Sequence, residues 1–261
     1  MVSARYSVPA AVFLVSCAGL AQETKVAYES KPPAATEAVP KTSNPPLAPE
    51  QRGDILMARK MYRDAIEVYL QAPQNSAVIW NKMGIAYHQM LQFDAAMKRY
   101  QRSHKLDPKY PEAINNLGTI YYAEKHYGQA SRCYKRALKL SPQSASIYSN
   151  LGTAYFAEKK YKEAAVAYDT ALRLDPEVFE HHNAYGVLLQ ERSVAERAKF
   201  HYYLAKTYAK AGQNDRALLC IRKALEEGFT ERKKLLEDPE FANLRDTPEF
   251  KELLTLEPRV L

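Results

Sequence analysis

Two stretches of the chain are nearly identical: NLGTIYYAEKHY at residues 116–127 and NLGTAYFAEKKY at residues 150–161. Their first residues lie 34 positions apart. A pattern that recurs at a fixed interval of this order is typical of chains built from stacked, similar units. The same interval should therefore appear elsewhere in the sequence.

Several residue types keep this interval over much of the chain. Five of the nine glycines are separated by 31, 34, 34 and 34 residues, and prolines, alanines and tyrosines follow in the same register. Glycine and alanine let two helices cross closely, and a proline between units ends one helix before the next begins. The positions are Gly53, Gly84, Gly118, Gly152 and Gly186; Pro108, Pro142 and Pro176; Ala65, Ala96, Ala130 and Ala164; and Tyr87, Tyr121, Tyr155, Tyr100, Tyr134 and Tyr168.

This pattern resembles the tetratricopeptide repeat (TPR), which has a 34-residue period and a Trp/Leu/Gly/Tyr, then Ala/Phe/Ala/Pro, order of residues. Trp80 occupies the Trp position of the second repeat. The resemblance implies an all-α solenoid of antiparallel helix pairs, in which each pair buries its apolar face against its neighbours. We predict full repeats at residues 47–76, 77–110, 111–144 and 145–178 within an array that spans roughly 50–231.

The pattern becomes irregular near residues 179–197, where about half a repeat is missing. Gly186 keeps the interval, but no second helix of the expected kind follows it. Residues 193–196 (SVAE) have the form of a capping box that starts a new helix. A complete repeat resumes at Ala198.

The chain ends with a segment, residues 232–261, that we predict to form capping helices. Asp238 and Thr247 are each followed by a proline, and this pair of residue types favours the start of a helix. Two short helices are expected there, and they would cover the apolar face of the last repeat.

The first 21 residues differ from the rest of the chain. A start with one Arg is followed by VPAAVFLVSCAGLA, which is apolar and uncharged. This is the form of a secretory signal peptide, with cleavage after Ala21. In a second interpretation, residues 14–17 (LVSC) resemble the lipobox of bacterial lipoproteins, in which cleavage precedes the cysteine and Cys17 carries a lipid. A buried N-terminal helix is a third interpretation. The first two predict an exported protein, periplasmic or outer-membrane-associated, with membrane attachment only through an N-terminal lipid.

Residues 22–49 are predicted to be a disordered linker. Six prolines fall within KPPAATEAVPKTSNPPLAPE, and almost no large apolar residue is available there to form a core. Proline blocks helix propagation and favours an extended chain. The linker would hold the folded part away from a membrane or from the N-terminus.

Composition and motifs argue against several functions. The formal charge is +7, but Lys and Arg alternate with Asp and Glu and form no compact basic run, so we expect no nucleic-acid partner. No CxxC spacing, glycine-rich phosphate loop, GxSxG or HExxH occurs, so we expect no enzyme activity, cofactor or metal site. Cys133 and Cys220 are predicted to be buried and unpaired, and His181, His182 and His201 to have packing or surface roles.

The first helix of each repeat is expected to line a concave groove, which makes its inward positions the candidate binding site. These positions carry amides, hydroxyls and aromatic rings, and a carboxamide can both donate to and accept from the backbone of an extended peptide. The candidates are Asn81, Lys82, Ile85, His88 and Gln89; Asn115, Asn116, Thr119, Tyr122 and Ala123; Ser149, Asn150, Thr153, Phe156 and Ala157; and Asn183.

The asparagines resemble the asparagine ladder in the TPR groove of the O-linked N-acetylglucosamine transferase. Asn116 and Asn150 match the ladder position, and Lys82 replaces the asparagine in the second repeat. The resemblance implies a protein or peptide partner, with modest sequence selectivity. A chaperone-binding clamp is not resembled, because Lys82 is the only charge of the required type. The other interpretation is that the asparagines hydrogen-bond neighbouring helices.

Two functions therefore remain in competition. The first is a non-enzymatic protein–protein interaction scaffold of the cell envelope that binds its partner in the concave groove. The alternative is a structural lipoprotein subunit of an outer-membrane or periplasmic assembly.

Overall fold

Helices follow one another in pairs along the chain. A computed structural model describes residues 47–179 and 193–256, which belong to the unit Pro46–Leu261, and within them every regular element is helical. The elements are α1 (Pro49–Ala58), α2 (Tyr62–Tyr69), α3 (Ala77–Gln89), α4 (Phe93–Leu106), α5 (Pro111–Ala123), α6 (Tyr127–Leu140), α7 (Ala145–Ala157), α8 (Tyr161–Leu174), α9 (Val194–Lys210), α10 (Asn214–Glu226), α11 (Arg232–Glu237), a 3-10 turn (Pro239–Phe241) and α12 (Pro248–Leu253).

The predicted all-α solenoid is confirmed. Each of the four predicted repeats contains one helix pair, from α1–α2 to α7–α8, and each pair packs on the next, as α2 does on α3 and α6 on α7. No helix in the two described ranges is both long and apolar enough to cross a bilayer. Predictions for the signal segment, Cys17, most of the linker, His181, His182, Asn183 and Gly186 lie outside the described residues.

Each of these four pairs closes where a glycine of its first helix meets a tyrosine ring of its second. A β-carbon on Gly118 would lie 2.6 Å from Cε1 of Tyr134, closer than real β-carbons approach other atoms. Gly53, Gly84 and Gly152 meet Tyr69, Tyr100 and Tyr168 in the same way. These rings are at most 1% exposed, so the missing side chain of glycine is what allows them to lie against the helix.

The turn between the two helices of a pair uses one residue in the left-handed region. Its φ is 60° at Lys60, 59° at Leu91, 63° at Lys125 and 62° at Lys159. Gly212 occupies the equivalent position after α9, with φ 73°. The turns therefore share one geometry, although only the last uses the residue that adopts it without steric cost.

The capping box at residues 193–196 is confirmed, but it begins the resumed repeat itself. Ser193 Oγ accepts a hydrogen bond from the backbone N–H of Glu196, and α9 then continues without a break to Lys210. The new helix is thus the first helix of the repeat that was expected from Ala198. It pairs with α10, whose Ala217, Ile221 and Ala224 are fully buried.

The C-terminal segment differs in one detail from the prediction. The residues after Asp238 form a 3-10 turn instead of an α-helix, and the Asp238 carboxylate makes no capping bond. It is already bound by the Tyr202 hydroxyl and by Lys206 Nζ, at 3.1 Å from the latter. Thr247 does cap α12, because its Oγ1 accepts from the backbone N–H of Phe250.

These C-terminal elements cover the end of the array. The 3-10 turn packs on α9 and α12 packs on α10. Phe241 and Phe250 are fully buried, in the same core as Leu225 of α10 and Phe229, which follows α10. An apolar face that would otherwise end the stack is thereby closed.

Candidate functional site

A repeated polar contact connects the first helices of successive repeats. In each case the side chain two residues before the repeat glycine donates to the side chain three residues before the glycine of the preceding repeat. The three contacts are Lys82 Nζ to Glu50 Oε1 (2.7 Å), Asn116 Nδ2 to Asn81 Oδ1 (2.9 Å) and Asn150 Nδ2 to Asn115 Oδ1 (3.0 Å).

The asparagines form one continuous chain of hydrogen bonds. Asn115 Nδ2 donates to Asn116 Oδ1 at 3.1 Å, and this bond joins the Asn116–Asn81 contact to the Asn150–Asn115 contact. At one end Asn81 Nδ2 makes a long contact, 3.5 Å, with the Tyr110 hydroxyl. The four asparagines are only 4–6% exposed. We call them the amide chain.

The amide chain engages side chains that were expected to meet a peptide. Asn115, Asn116 and Asn81 each have their carbonyl oxygen bonded to a neighbouring amide. The interpretation that the asparagines bond neighbouring helices therefore describes the geometry. Direct peptide binding by these side chains stays a prediction.

Lys82 replaces an asparagine in sequence but makes the equivalent contact through charge. Its ammonium lies 2.7 Å from Glu50 Oε1 and 2.7 Å from Asp54 Oδ2. Burial alone would lower the pKa of Lys82, but the bonds to Asp54 and Glu50 outweigh it and raise the pKa above its usual value. Lys82 is thus a charged partner of α1.

The predicted hydroxyl groups are directed back to their own helices. Thr119 Oγ1 donates to the carbonyl of Asn116, and Thr153 Oγ1 donates to the carbonyl of Ser149, a bonding mode that is common for threonine within helices. The Tyr168 hydroxyl, which crosses its repeat glycine, donates to Thr153 Oγ1 at 3.2 Å. Thr119 and Thr153 are buried, and Ser149 is half-buried.

Aromatic pairs run beside the amide chain, one in each of three successive repeats. A predicted residue of the first helix meets the first residue of the second helix, with ring centroids 5.1–5.6 Å apart. The pairs are His88–Phe93, Tyr122–Tyr127 and Phe156–Tyr161. The partners on the second helices were missed, although Phe93, Tyr127 and Tyr161 also keep the 34-residue interval.

The last pair extends into a partly exposed aromatic platform. The Tyr161 and Tyr203 rings stack at 4.9 Å with an angle of 9° between their planes. Lys199 Nζ lies 4.2 Å from the centroid of the Tyr161 ring. Phe156 makes edge contacts with both tyrosine rings and is itself buried. Tyr161 and Tyr203, which we call the tyrosine platform, keep part of their surface exposed.

Sequence comparison agrees with this architecture. Family models described as TPR repeat and tetratricopeptide repeat match residues 92–125, 118–159 and 145–178. This chain is a tetratricopeptide-repeat protein. Solenoids of this kind are protein-interaction scaffolds that present extended binding surfaces.

Solved structures with partial similarity to this TPR protein include two of MamA. A MamA segment from Desulfovibrio magneticus RS-1 is 19% identical, with a TM-score of 0.47, over 70% of this chain and 94% of that one. A second MamA structure is 22% identical, with a TM-score of 0.46, over 69% and 96%. The first TPR of Spaghetti (RPAP3), bound to the HSP90 peptide SRMEEVD, is 25% identical with a TM-score of 0.39, over 43% and 86%. No curated protein matches the chain.

His88, His201, Cys133 and Cys220 lie in packing environments in this TPR protein. His201 Nδ1 is 2.7 Å from Glu227 Oε2, and burial lowers the pKa of His201 although Glu227 opposes the shift. Burial alone lowers the pKa of His88. Cys133 and Cys220 are buried, as predicted, and burial raises the pKa of the Cys133 thiol. In the described ranges, no three His, Cys, Asp or Glu side chains are grouped as a metal site would require.

Proposed function

We propose that this TPR protein is a non-enzymatic scaffold of the cell envelope that binds an extended segment of a partner protein along the inner face of its first helices. The observation that carries the proposal is the tyrosine platform at the end of a row of aromatic pairs. Partly exposed rings on a rigid helical support are favourable anchors for a peptide, because little side-chain entropy is lost on binding.

The amide chain contributes to this function indirectly. It connects α3, α5 and α7 through their buried sides, which keeps the aromatic pairs at a constant spacing. A scaffold whose binding groups are held in place pays less ordering entropy when the partner binds. The platform and Lys199 would then contact the peptide. The asparagines would act through the spacing of the aromatic pairs, without contacting the peptide.

Site-specific photo-crosslinking in the native cell tests the proposal. A benzoylphenylalanine at Ser149 of α7 or at Lys199 of α9, two half-buried residues of first helices, should give the same discrete crosslinked partner. The control position is Leu219 on α10, which is 49% exposed. Crosslinks of equal yield and identity from Leu219, or none from Ser149 and Lys199, would contradict the proposal. Mass spectrometry of the crosslinked species would identify the partner.

The alternative, a structural lipoprotein subunit, is supported by residues 14–17 (LVSC). It predicts that Cys17→Ala releases the protein from the membrane fraction. A mature protein that begins at Gln22 would instead support ordinary cleavage and export. N-terminal sequencing of the purified mature protein distinguishes the two.

A further inference from the structure

Two second helices carry a local excess of positive charge that the sequence order conceals. α4 contains four basic residues and one acidic residue, and α6 contains four basic residues and no acidic one. Their combined formal charge of +7 equals that of the entire chain. All other parts of the protein are therefore neutral in sum.

These basic residues form adjacent stripes. On each helix every basic residue has another basic residue three or four positions away, which places the four on one side. Seven of the eight are exposed, and Arg99 is half-buried. The helices meet through Arg136 Nη2, which lies 3.2 Å from His104 Nε2. We call the combined set the basic face: Lys98, Arg99, Arg102, Lys105, Arg132, Lys135, Arg136 and Lys139.

No carboxylate of the protein neutralises the basic face in the part of the chain that the structure describes. Ion pairs occur before it, at Lys82, and after it, at Lys160, but none involves the eight residues. Clustered like charges without counter-charges destabilise a fold through repulsion. Such an arrangement is typical of a surface that a partner of opposite charge covers.

Several of the guanidinium groups are already held in place. Arg99 lies over the rings of Trp80 and Tyr87, at 5.4 and 5.3 Å from their centroids, and Arg102 lies 5.8 Å from that of Trp80. Arg136 donates to His104 Nε2, and burial followed by the Arg136 charge lowers the pKa of His104, which favours the neutral acceptor. Pre-ordered guanidinium groups bind carboxylates through paired hydrogen bonds at reduced entropic cost.

We propose that the basic face binds an acidic segment of a protein, a run of Asp and Glu side chains. Nucleic acid is disfavoured because the indole of Trp80, the ring beside the face on which a base could stack, already packs against the guanidinium groups of Arg99 and Arg102. A lipid surface is disfavoured because, among the exposed side chains of α4 and α6, only Leu140 is a large apolar one. This surface lies on second helices and does not depend on the inner face.

Charge reversal on α6 tests the proposal. In Lys135→Glu/Lys139→Glu, both substituted residues are exposed, so the fold should be retained and relieved of repulsion. The matched control is Arg222→Glu/Lys223→Glu on α10, two exposed residues with the same change in charge. The probe is fluorescein-labelled poly-L-glutamate, followed by anisotropy at about 0.05 M and about 0.15 M salt.

We expect the α6 variant to bind the probe at least about 10-fold more weakly and the control to change less than about twofold, with the difference shrinking at higher salt. Equal losses in both variants would overturn the proposal, because a general charge effect would explain them. So would binding that depends on α6 for phosphatidylglycerol vesicles or for a DNA duplex but not for poly-L-glutamate. The variant Lys135→Gln/Lys139→Gln repeats the test without introducing new charges. Its thermal midpoint must be no lower than that of the unsubstituted protein, so that weaker binding does not reflect unfolding.

Discussion

The repeat glycine fixes how closely the two helices of a pair can approach. At Gly118 the space of a side chain is taken by the ring of Tyr134, which is fully buried and cannot move outward without separating α5 from α6. Gly128, only ten residues further on, has no atom within 4 Å of its would-be β-carbon. The two glycines therefore have opposite roles.

We expect Gly118→Ala to lower the free energy of unfolding by about 2 kcal/mol, because the ring must shift in a close-packed core. Gly128→Ala, in the first turn of α6, should raise it by up to about 1 kcal/mol, since alanine restricts the unfolded chain. Thermal unfolding followed by circular dichroism measures both. Equal midpoints for the two variants would show that the ring is not confined as described.

The residue in the left-handed region of each turn gives a second pair of substitutions, which should change the free energy of unfolding in opposite directions. Leu91 has φ 59° and is 67% exposed, so its side chain contributes strain without burial. Leu91→Gly should raise the free energy of unfolding by up to about 1 kcal/mol. Gly212→Ala, at φ 73°, should lower it by about 1 kcal/mol. A loss of stability in Leu91→Gly would mean that the leucine makes contacts that matter.

Helices α3, α5 and α7 are connected through the amide chain, and this connection can be measured. Asn116→Ala leaves the carbonyl of Asn81 buried without its donor, which should cost about 1–3 kcal/mol. Asn81→Ala should have a similar cost. Because both substitutions break the same bond, the double variant should lose about 1 kcal/mol less than the sum of the two. Strict additivity in urea unfolding would argue against a direct bond.

The sequence groups the candidate residues on one side of each first helix, but it does not give what they contact. Periodicity assigns Asn116 and Asn150 to one side of their helices, whereas their partners depend on where the preceding helix lies. In the sequence, Lys82 interrupts the row of asparagines. Its equivalent contact becomes visible only in the structure, because its partner Glu50 is 32 positions away. Asp238 shows the limit most clearly. Its carboxylate accepts a hydrogen bond from the Tyr202 hydroxyl, 36 residues earlier in the chain, and does not cap the helix that follows.

The basic face was missed for a related reason. Glu112 and Glu124 of the intervening segment separate the charges of α4 from those of α6 in sequence, which gives a mixed overall pattern. Stacking at the 34-residue interval brings the second helices together and leaves the first helices on the other side. Counting charge for each helix separately would have revealed the excess.

The cap elements close the array through two phenylalanines. Phe250→Ala should lower the free energy of unfolding by about 3–5 kcal/mol, because the ring is fully buried. Leu236→Ala, in the same segment but 51% exposed, should change it by less than about 0.5 kcal/mol. Differential scanning calorimetry measures both variants. A small effect for Phe250→Ala would mean that the cap is not required to close the last repeat.

At the scale of the whole molecule, stability should depend on pH near neutrality. Burial lowers the pKa values of His88 and His201 below the ordinary value of 6.5. The folded protein therefore binds fewer protons than the unfolded chain. Stability that is present above pH 6.5 is lost as the pH falls from 6.5 through the lowered pKa values of the folded protein. Thermal midpoints should decrease between about pH 7.5 and pH 5.5, and His88→Gln should flatten the decrease. A midpoint that rises over this interval would contradict the assignment.

The contacts between first helices depend only on the place of each residue within its repeat. Deleting residues 111–144 would bring Asn150 opposite Asn81, which is again an amide donor facing an amide acceptor. Duplicating the same stretch would place a second Asn116 opposite the original Asn115. Unequal recombination within the gene could therefore shorten or lengthen the array by whole units without leaving a buried amide unpaired. The length of the solenoid can thus evolve independently of the chemistry that joins its parts.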